Sequence, residues 1–360
     1  MAPAPFGNDP GKVEGYRRFW SLADVPRPLV GFTLRGFFPM DEYAPTRAWP
    51  TDTFLTPEMV VPEEFLADEE RLLAEGEALQ DDIFRGDMPA AAAIPWLSGM
   101  LGSTLRILPG NVLGEDRAMS WEEIERLRLD PDHPWYLKYM EFLRTLARHA
   151  RGRYPVSHGS MIGPCDLLGE LRGHTQSILD IMQEPERATR VLWQMTRIFE
   201  EVMAASWKAL PLFAGGYFDG MYQLWSPQPI IRMQEDASGL YSPALYRKFL
   251  QPLDRHLAQR FACGFMHLHS TSMFILDGFL EIDELRCFEI NNDAIGPPLA
   301  EMVPYFRMVQ AARRSLVIRG SFSRDDIRLL MDSLDARGLY LLILVKEVQE
   351  ADALRPLLKM

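Results

Sequence analysis

Short apolar runs alternate with stretches of helical period along the second half of this chain. The runs 265–269 (FMHLH), 287–291 (CFEIN), 316–320 (LVIRG) and 339–345 (LYLLILV) begin 22, 29 and 23 residues apart. Strand–helix units at this interval indicate parallel strands joined by helical crossovers. Earlier strands are expected at 28–34 (PLVGFTL), near 90–95, at 155–159 (PVSHG) and at 216–224. Between 185 and 210, Ala188, Val191, Leu192, Met195, Ile198, Phe199 and Val202 form a helical stripe. Ser242-Pro243 reads as an N-cap followed by a proline at the first helical position. Ser323 opens another helix with Asp325 and Asp326 in its first turn, and Gly338 closes that unit before the last strand. About eight such strands predict a single (β/α)8 TIM barrel of the α/β class. An open, doubly wound sheet is the alternative, but no GxGxxG follows the first strand. Residues 1–24 read as an arm, loose over 1–11, and a first helix; 25–360 read as the barrel. The Pro-, aromatic- and acid-rich stretch 35–88 reads as an insertion over its mouth.

A barrel of this kind places chemistry at the C-terminal ends of its strands. Those ends carry Arg35, His158, Asp219, His267, His269, Asn291, Asn292, Asp293, Arg319 and Lys346. A packed core has no use for so many polar groups, because burying them unpaired is costly. Strand side chains alternate, so His267 and His269 face the same way, roughly 7 Å apart along the chain. Two imidazoles so placed suit one metal ion or one anionic substrate. Asp293, after FEINN, could be a ligand or could orient a histidine through its second nitrogen; a turn residue is the plainer reading. Asp219 and Tyr222 lie in the glycine-flanked GGYFDGMYQL stretch and are candidates for catalysis and for substrate contact. His158 is a further catalytic candidate at the mouth. Asn291 and Arg319 are candidates for substrate binding.

The helix SPALYRKFLQP followed by FMHLH resembles the uroporphyrinogen decarboxylase superfamily, as does PVSHGSMIGPCDLLGELRG. The resemblance covers most of 150–355 and is nearer the zinc-dependent, corrinoid-linked methyltransferases than the decarboxylase itself. It implies a barrel, and zinc held at the end of the strand that carries His267. In those methyltransferases the second ligand is a Cys where this chain has His269, and the third ligand is a Cys on the last strand. LYLLILVKEVQEADAL has none. A carboxylate must therefore complete any metal set here, with Glu235, Asp236 and Asp293 available. In the decarboxylase branch, basic residues after the first strand hold propionates and an aspartate binds pyrrole NH groups. Arg35 and Asp82 would take those parts, although acids follow Arg35, an Arg-rich motif is missing, and Asp82 also reads as a helix-end charge.

Composition narrows the classes. With 360 residues, 47% hydrophobic and 24% charged, the chain can build one large core. A net charge of −12 argues against nucleic acid, whose binding rests on clustered Lys and Arg. Cys165, Cys263 and Cys287 show no CxxC spacing, so a cytoplasmic protein without disulfides is expected. No stretch reads as a signal peptide or a membrane span. The expected function is methyl transfer on a small molecule, with a metal-activated thiol acceptor and a methylated corrinoid protein or other donor. A cofactor-free decarboxylase of a porphyrinogen or other carboxylated aromatic, and a non-catalytic ligand-binding barrel, are the alternatives. A homodimer would be in keeping with the fold.

Overall fold

The computed structural model of the chain describes residues 4–34, 36 and 40–360. In chain order the first strand is β1 (Leu29–Thr33). Then β2 (Phe54–Leu55), β3 (Leu105–Leu108) and β4 (Asn111–Gly114) form a small antiparallel sheet. A hairpin follows, β5 (Tyr217–Asp219) with β6 (Leu224–Ser226). The remaining strands are β7 (Ile230–Gln234), β8 (Cys263–His269), β9 (Cys287–Asn291), β10 (Ser315–Gly320) and β11 (Leu339–Leu344). With β1 these make a six-stranded parallel sheet in the order β1-β11-β10-β9-β8-β7. Its strands are buried almost end to end, as parallel strands covered on both faces must be.

The sheet is strongly curved. Tyr222 accepts from the Tyr340 hydroxyl on β11 at its carbonyl, 2.9 Å away, and meets His267 on β8 with its own hydroxyl at 2.9 Å. Two strands separate β8 from β11, so one residue reaches both only across a concave face. Between the outer strands β1 and β7 run two extended stretches. Asp82 N donates to Val30 O, and Asp87 forms a parallel bridge with Val156. The hydrogen-bonded ladder does not close into eight strands among the described residues.

The departures from the expected strands have local causes. Around 90–95 there is a 3-10 helix, Pro89–Ala92, since Pro89 removes a ladder donor. The 155–159 segment keeps a single bridge. The 216–224 segment is antiparallel, and the real parallel strand is β7, which comes after it. The hairpin occupies the concave side from the strand beginnings inward. Trp20 Nε1 donates to Trp225 O at 2.8 Å, and Tyr16 hydroxyl to Gln223 O at 2.7 Å. Phe218, Tyr222, Leu224 and Trp225 there share one buried cluster with Leu29, Ile230, Cys263 and Cys287. The amino-terminal arm is docked rather than loose from Asn8 on: its side chain both donates to and accepts from the Arg85 backbone.

The long helix Pro185–Ala209 buries its predicted stripe. Ser242 and Ser323 cap their helices through their hydroxyls, Ser323 in a reciprocal box with Asp326. Among the described residues no helix is long and apolar enough to cross a membrane.

Candidate metal and ligand site

The register of the sheet stacks the inward positions of β8 and β9. His267 lies opposite Glu289 and His269 opposite Asn291, all on the concave side. The two imidazole centroids are 4.9 Å apart. His267 Nδ1 bonds to Glu289, an acid with no solvent exposure, with the Tyr222 hydroxyl 2.9 Å from the same nitrogen. His269 Nδ1 is 3.0 Å from Asp293 Oδ1. Asp293 is itself fixed, accepting from Ser270 N at 2.9 Å, from Ser270 Oγ at 2.8 Å and from Asn291 Nδ2 at 2.5 Å. With a carboxylate on each Nδ1, the network assigns the ring proton there and turns both Nε2 atoms outward. They converge on Asp236, whose oxygens lie 4.0 Å from His267 Nε2 and 3.7 Å from His269 Nε2. These three ligand atoms all fall within 4.8 Å of one another.

That set fits a divalent ion. Ligand atoms about 2.1 Å from a tetrahedral zinc stand roughly 3.4 Å apart, close to the separations seen. Two nitrogens and one oxygen leave a fourth position, as catalytic zinc sites do. A carboxylate behind each histidine is the usual support for a metal-bound imidazole. Asp236 first and Asp293 second push His269 up to about 10. Burial works to raise Asp293, but His269, Ser270 and Asn291 outweigh it and hold the acid well below the usual range.

Asp236 sits in the turn after β7, and a second acid sets that turn. Asp166 accepts from Asp236 N and Ala237 N, at 3.2 and 2.6 Å. Glu235 points the other way. Its carboxylate accepts from Cys165 N at 2.9 Å, and burial, with Asp254 and Asp166 nearby, pushes it well up. Of the carboxylates offered by the sequence, Asp236 is therefore the one at the pair's Nε2 side, Asp293 stands behind it, and Glu235 is turned away.

A cavity of about 320 Å³ opens onto these groups. Ile94, Leu97, Val112, Ile162 and Met221 give it apolar walls; Tyr222, Arg232, Gln234, Asp236, His267, His269 and Asn291 give it a polar end. The other candidates lie elsewhere. His158 and Asp219 are buried against each other, with His158 Nε2 3.8 Å from Asp219 Oδ2 and the ring edge-on to Trp207. Burial lowers the one and raises the other, and neither lines the cavity. Arg319 lines a neighbouring lobe of about 170 Å³ together with Glu69, Asp87 and Met221, and burial pulls its guanidinium down to about 10. Asp82 is at the opposite end of the sheet, gripped by both terminal nitrogens of Arg27 and accepting from Val30 N. A substrate-binding part for Asp82 beside the histidines is thus ruled out by position. Arg35 lies outside the described residues.

No family model and no curated protein matches the chain. A methyltransferase from Methanosarcina mazei has the same fold. The two superpose with a TM-score of 0.64 over 97% of this chain and 98% of that one, at 13% identity. At that identity the likeness speaks for the fold alone.

Three residues of the site were missed or underrated from sequence. Arg232 and Glu289 each interrupt an otherwise apolar strand, IIRMQ and CFEIN. A charge in the middle of a buried run is itself a signal, since it must be paired or functional. Asp236 gave no such signal, because β7 was not recognised as the strand that places it.

Proposed function

We propose that this chain is a metal-dependent methyltransferase acting on a small molecule, built as a (β/α)8 barrel in which the stretches 81–88 and 155–158 stand in for regular staves. It resembles the zinc- and corrinoid-linked branch of the uroporphyrinogen decarboxylase superfamily, with an Asp-His-His set in place of the thiolate ligands. The observation that carries the reading is the convergence of Asp236, His267 and His269, with Glu289 and Asp293 behind the two rings. Zinc held there would lower the pKa of a thiol acceptor and favour its thiolate.

The chain's own residues do the rest. Glu289 and Asp293 keep each histidine in one tautomer and one orientation. Asp166 fixes the backbone that presents Asp236. Apolar walls exclude water from the reacting sulfur, which raises its nucleophilicity. A methylated corrinoid would supply the methyl group: its C–Co bond would break with both electrons left on cobalt as the S–C bond formed, and the thiol proton would go to solvent. None of the chain's three cysteines can be the acceptor: all are buried, and burial pushes each thiol up.

The test uses protein purified without a histidine tag. About one zinc per chain is expected, with zinc-dependent transfer from methylcobalamin to one of a panel of small thiols, followed by the corrinoid spectrum. Full activity after metal removal would sink the metal mechanism. Release of CO₂ from an aromatic acid, with no methyl transfer, would establish the decarboxylase instead.

A further inference from the structure

Arg232 is the third residue of β7 and faces the concave side, opposite Phe265 of β8. It is 4% exposed and borders the cavity. One of its five N–H donors goes to Ser160 Oγ, at 2.6 Å. No carboxylate pairs with it among the described residues. Asp219, the acid that feels its charge, is engaged by His158 and by Tyr222 N instead. A buried guanidinium with no carboxylate in direct contact is expensive, and this one borders a cavity with apolar walls beside it.

We propose that this cavity takes a small organic monocarboxylate, and that Arg232 and Ser160 hold its carboxylate. Gln234, two residues further along β7, pairs with His267. Strand rise therefore puts Arg232 roughly 7 Å below the histidine layer. The ligand's anionic end sits deep, its apolar body lies along Ile94, Leu97 and Ile162, and its reacting end reaches Asp236, His267 and His269. A single planar guanidinium with one hydroxyl matches a carboxylate, which accepts two parallel N–H bonds. A phosphate dianion would bring a second charge to the deep end, where Arg232 is the sole Lys or Arg among the described residues lining the cavity. This names the substrate class of the proposed methyltransferase and rests on that reading only for what happens at the reacting end.

The experiment measures binding of four acids and their primary amides: acetate, cyclohexanecarboxylate, benzoate and 3-phenylpropanoate. Calorimetry is run on zinc-loaded and zinc-free protein. At least one acid should bind on the order of tenfold tighter than its amide. Arg232→Gln should erase that preference, Arg232→Lys should keep part of it, and Ile162→Trp should abolish binding by filling the wall. Should Arg232→Gln fail to fold, Ser160→Ala and Ile162→Trp carry the test: the first must weaken the acid more than the amide. Acids and amides bound equally by the unmodified protein overturn the proposal, as does a preference that survives both Arg232→Gln and Ile162→Trp. Acid binding that persists where zinc binding and methyl transfer fail leaves the carboxylate site standing and removes only the catalytic reading.

Discussion

Asp236 and Asp293 both sit beside His269, yet they should fail differently when neutralised. Asparagine keeps the shape of each and removes only its charge. Asp236 faces both Nε2 atoms at 3.7 and 4.0 Å, so Asp236→Asn would take the charged oxygen out of the proposed ligand set. Zinc sites with four ligands are worth roughly 10–16 kcal/mol, or about 2.5–4 kcal/mol per ligand, so affinity should fall on the order of 10²–10³-fold. Asp293 touches only Nδ1, at 3.0 Å, behind the ring. Support of that kind is typically worth about 10–100-fold. A chelator competition at fixed pH reads both constants, and melting temperature confirms that each variant is folded. The expected order is Asp236→Asn far weaker than Asp293→Asn, which is weaker than the unmodified protein. Equal losses, or zinc held as tightly by Asp236→Asn as by the unmodified chain, would refute the assignment of front and rear carboxylates.

Further outcomes follow from burial and close approach. Phe265 has no exposure, and Phe265→Ala should cost about 3–5 kcal/mol in denaturant unfolding, whereas the half-exposed His269→Ala should lose zinc with little change in melting temperature. At Gly163 a Cβ would lie 1.7 Å from Gln234 O, a backbone atom two residues before Asp236, so Gly163→Ala should lower both stability and zinc affinity; unchanged zinc binding would contradict that coupling. Burial pushes Asp254 up to about 7, so the folded state keeps a proton that the unfolded chain releases near pH 4. Its contribution to stability is full below that pH and gone once pH passes about 7. Asp254→Asn should therefore raise the melting temperature at pH 8 more than at pH 4, and the reverse order would overturn the sign.

The alternation in FMHLH was enough to face His267 and His269 together, because a two-residue period leaves no other arrangement. The late strands were legible for a similar reason: each is an apolar run, and the four are spaced by whole crossovers. Beyond β1, which the run at 28–34 announced, the first half was not legible. Its extended stretches at 81–88 and 155–158 make isolated contacts rather than ladders, so no periodicity announces them. β7 follows directly on the hairpin at 217–226, so neither Arg232 nor the preference for Asp236 over Glu235 and Asp293 could be read from the pattern. Asp82 and Asp87 are only five residues apart, yet one stands at the strand beginnings and the other in the mouth lobe. Sequence proximity says nothing about which end of an extended segment a side chain will serve. Asp293 was visible as a polar strand end, but only the structure shows that its partner is the Nδ1 side of His269.

The β5–β6 hairpin ties together two regions that α/β folds of this kind usually keep apart. Chemistry gathers at one end of the strands and mechanical robustness at the other, which lets each be altered without harm to the other. Here a segment anchored on the robust end, through Trp20 and Trp225, delivers the Tyr222 hydroxyl to His267. Anyone hardening this protein against heat would reach first for that aromatic underside. Repacking it would move the phenol, and the imidazole would register the shift. In this molecule the search for a tougher variant and the search for a reshaped site draw on the same residues.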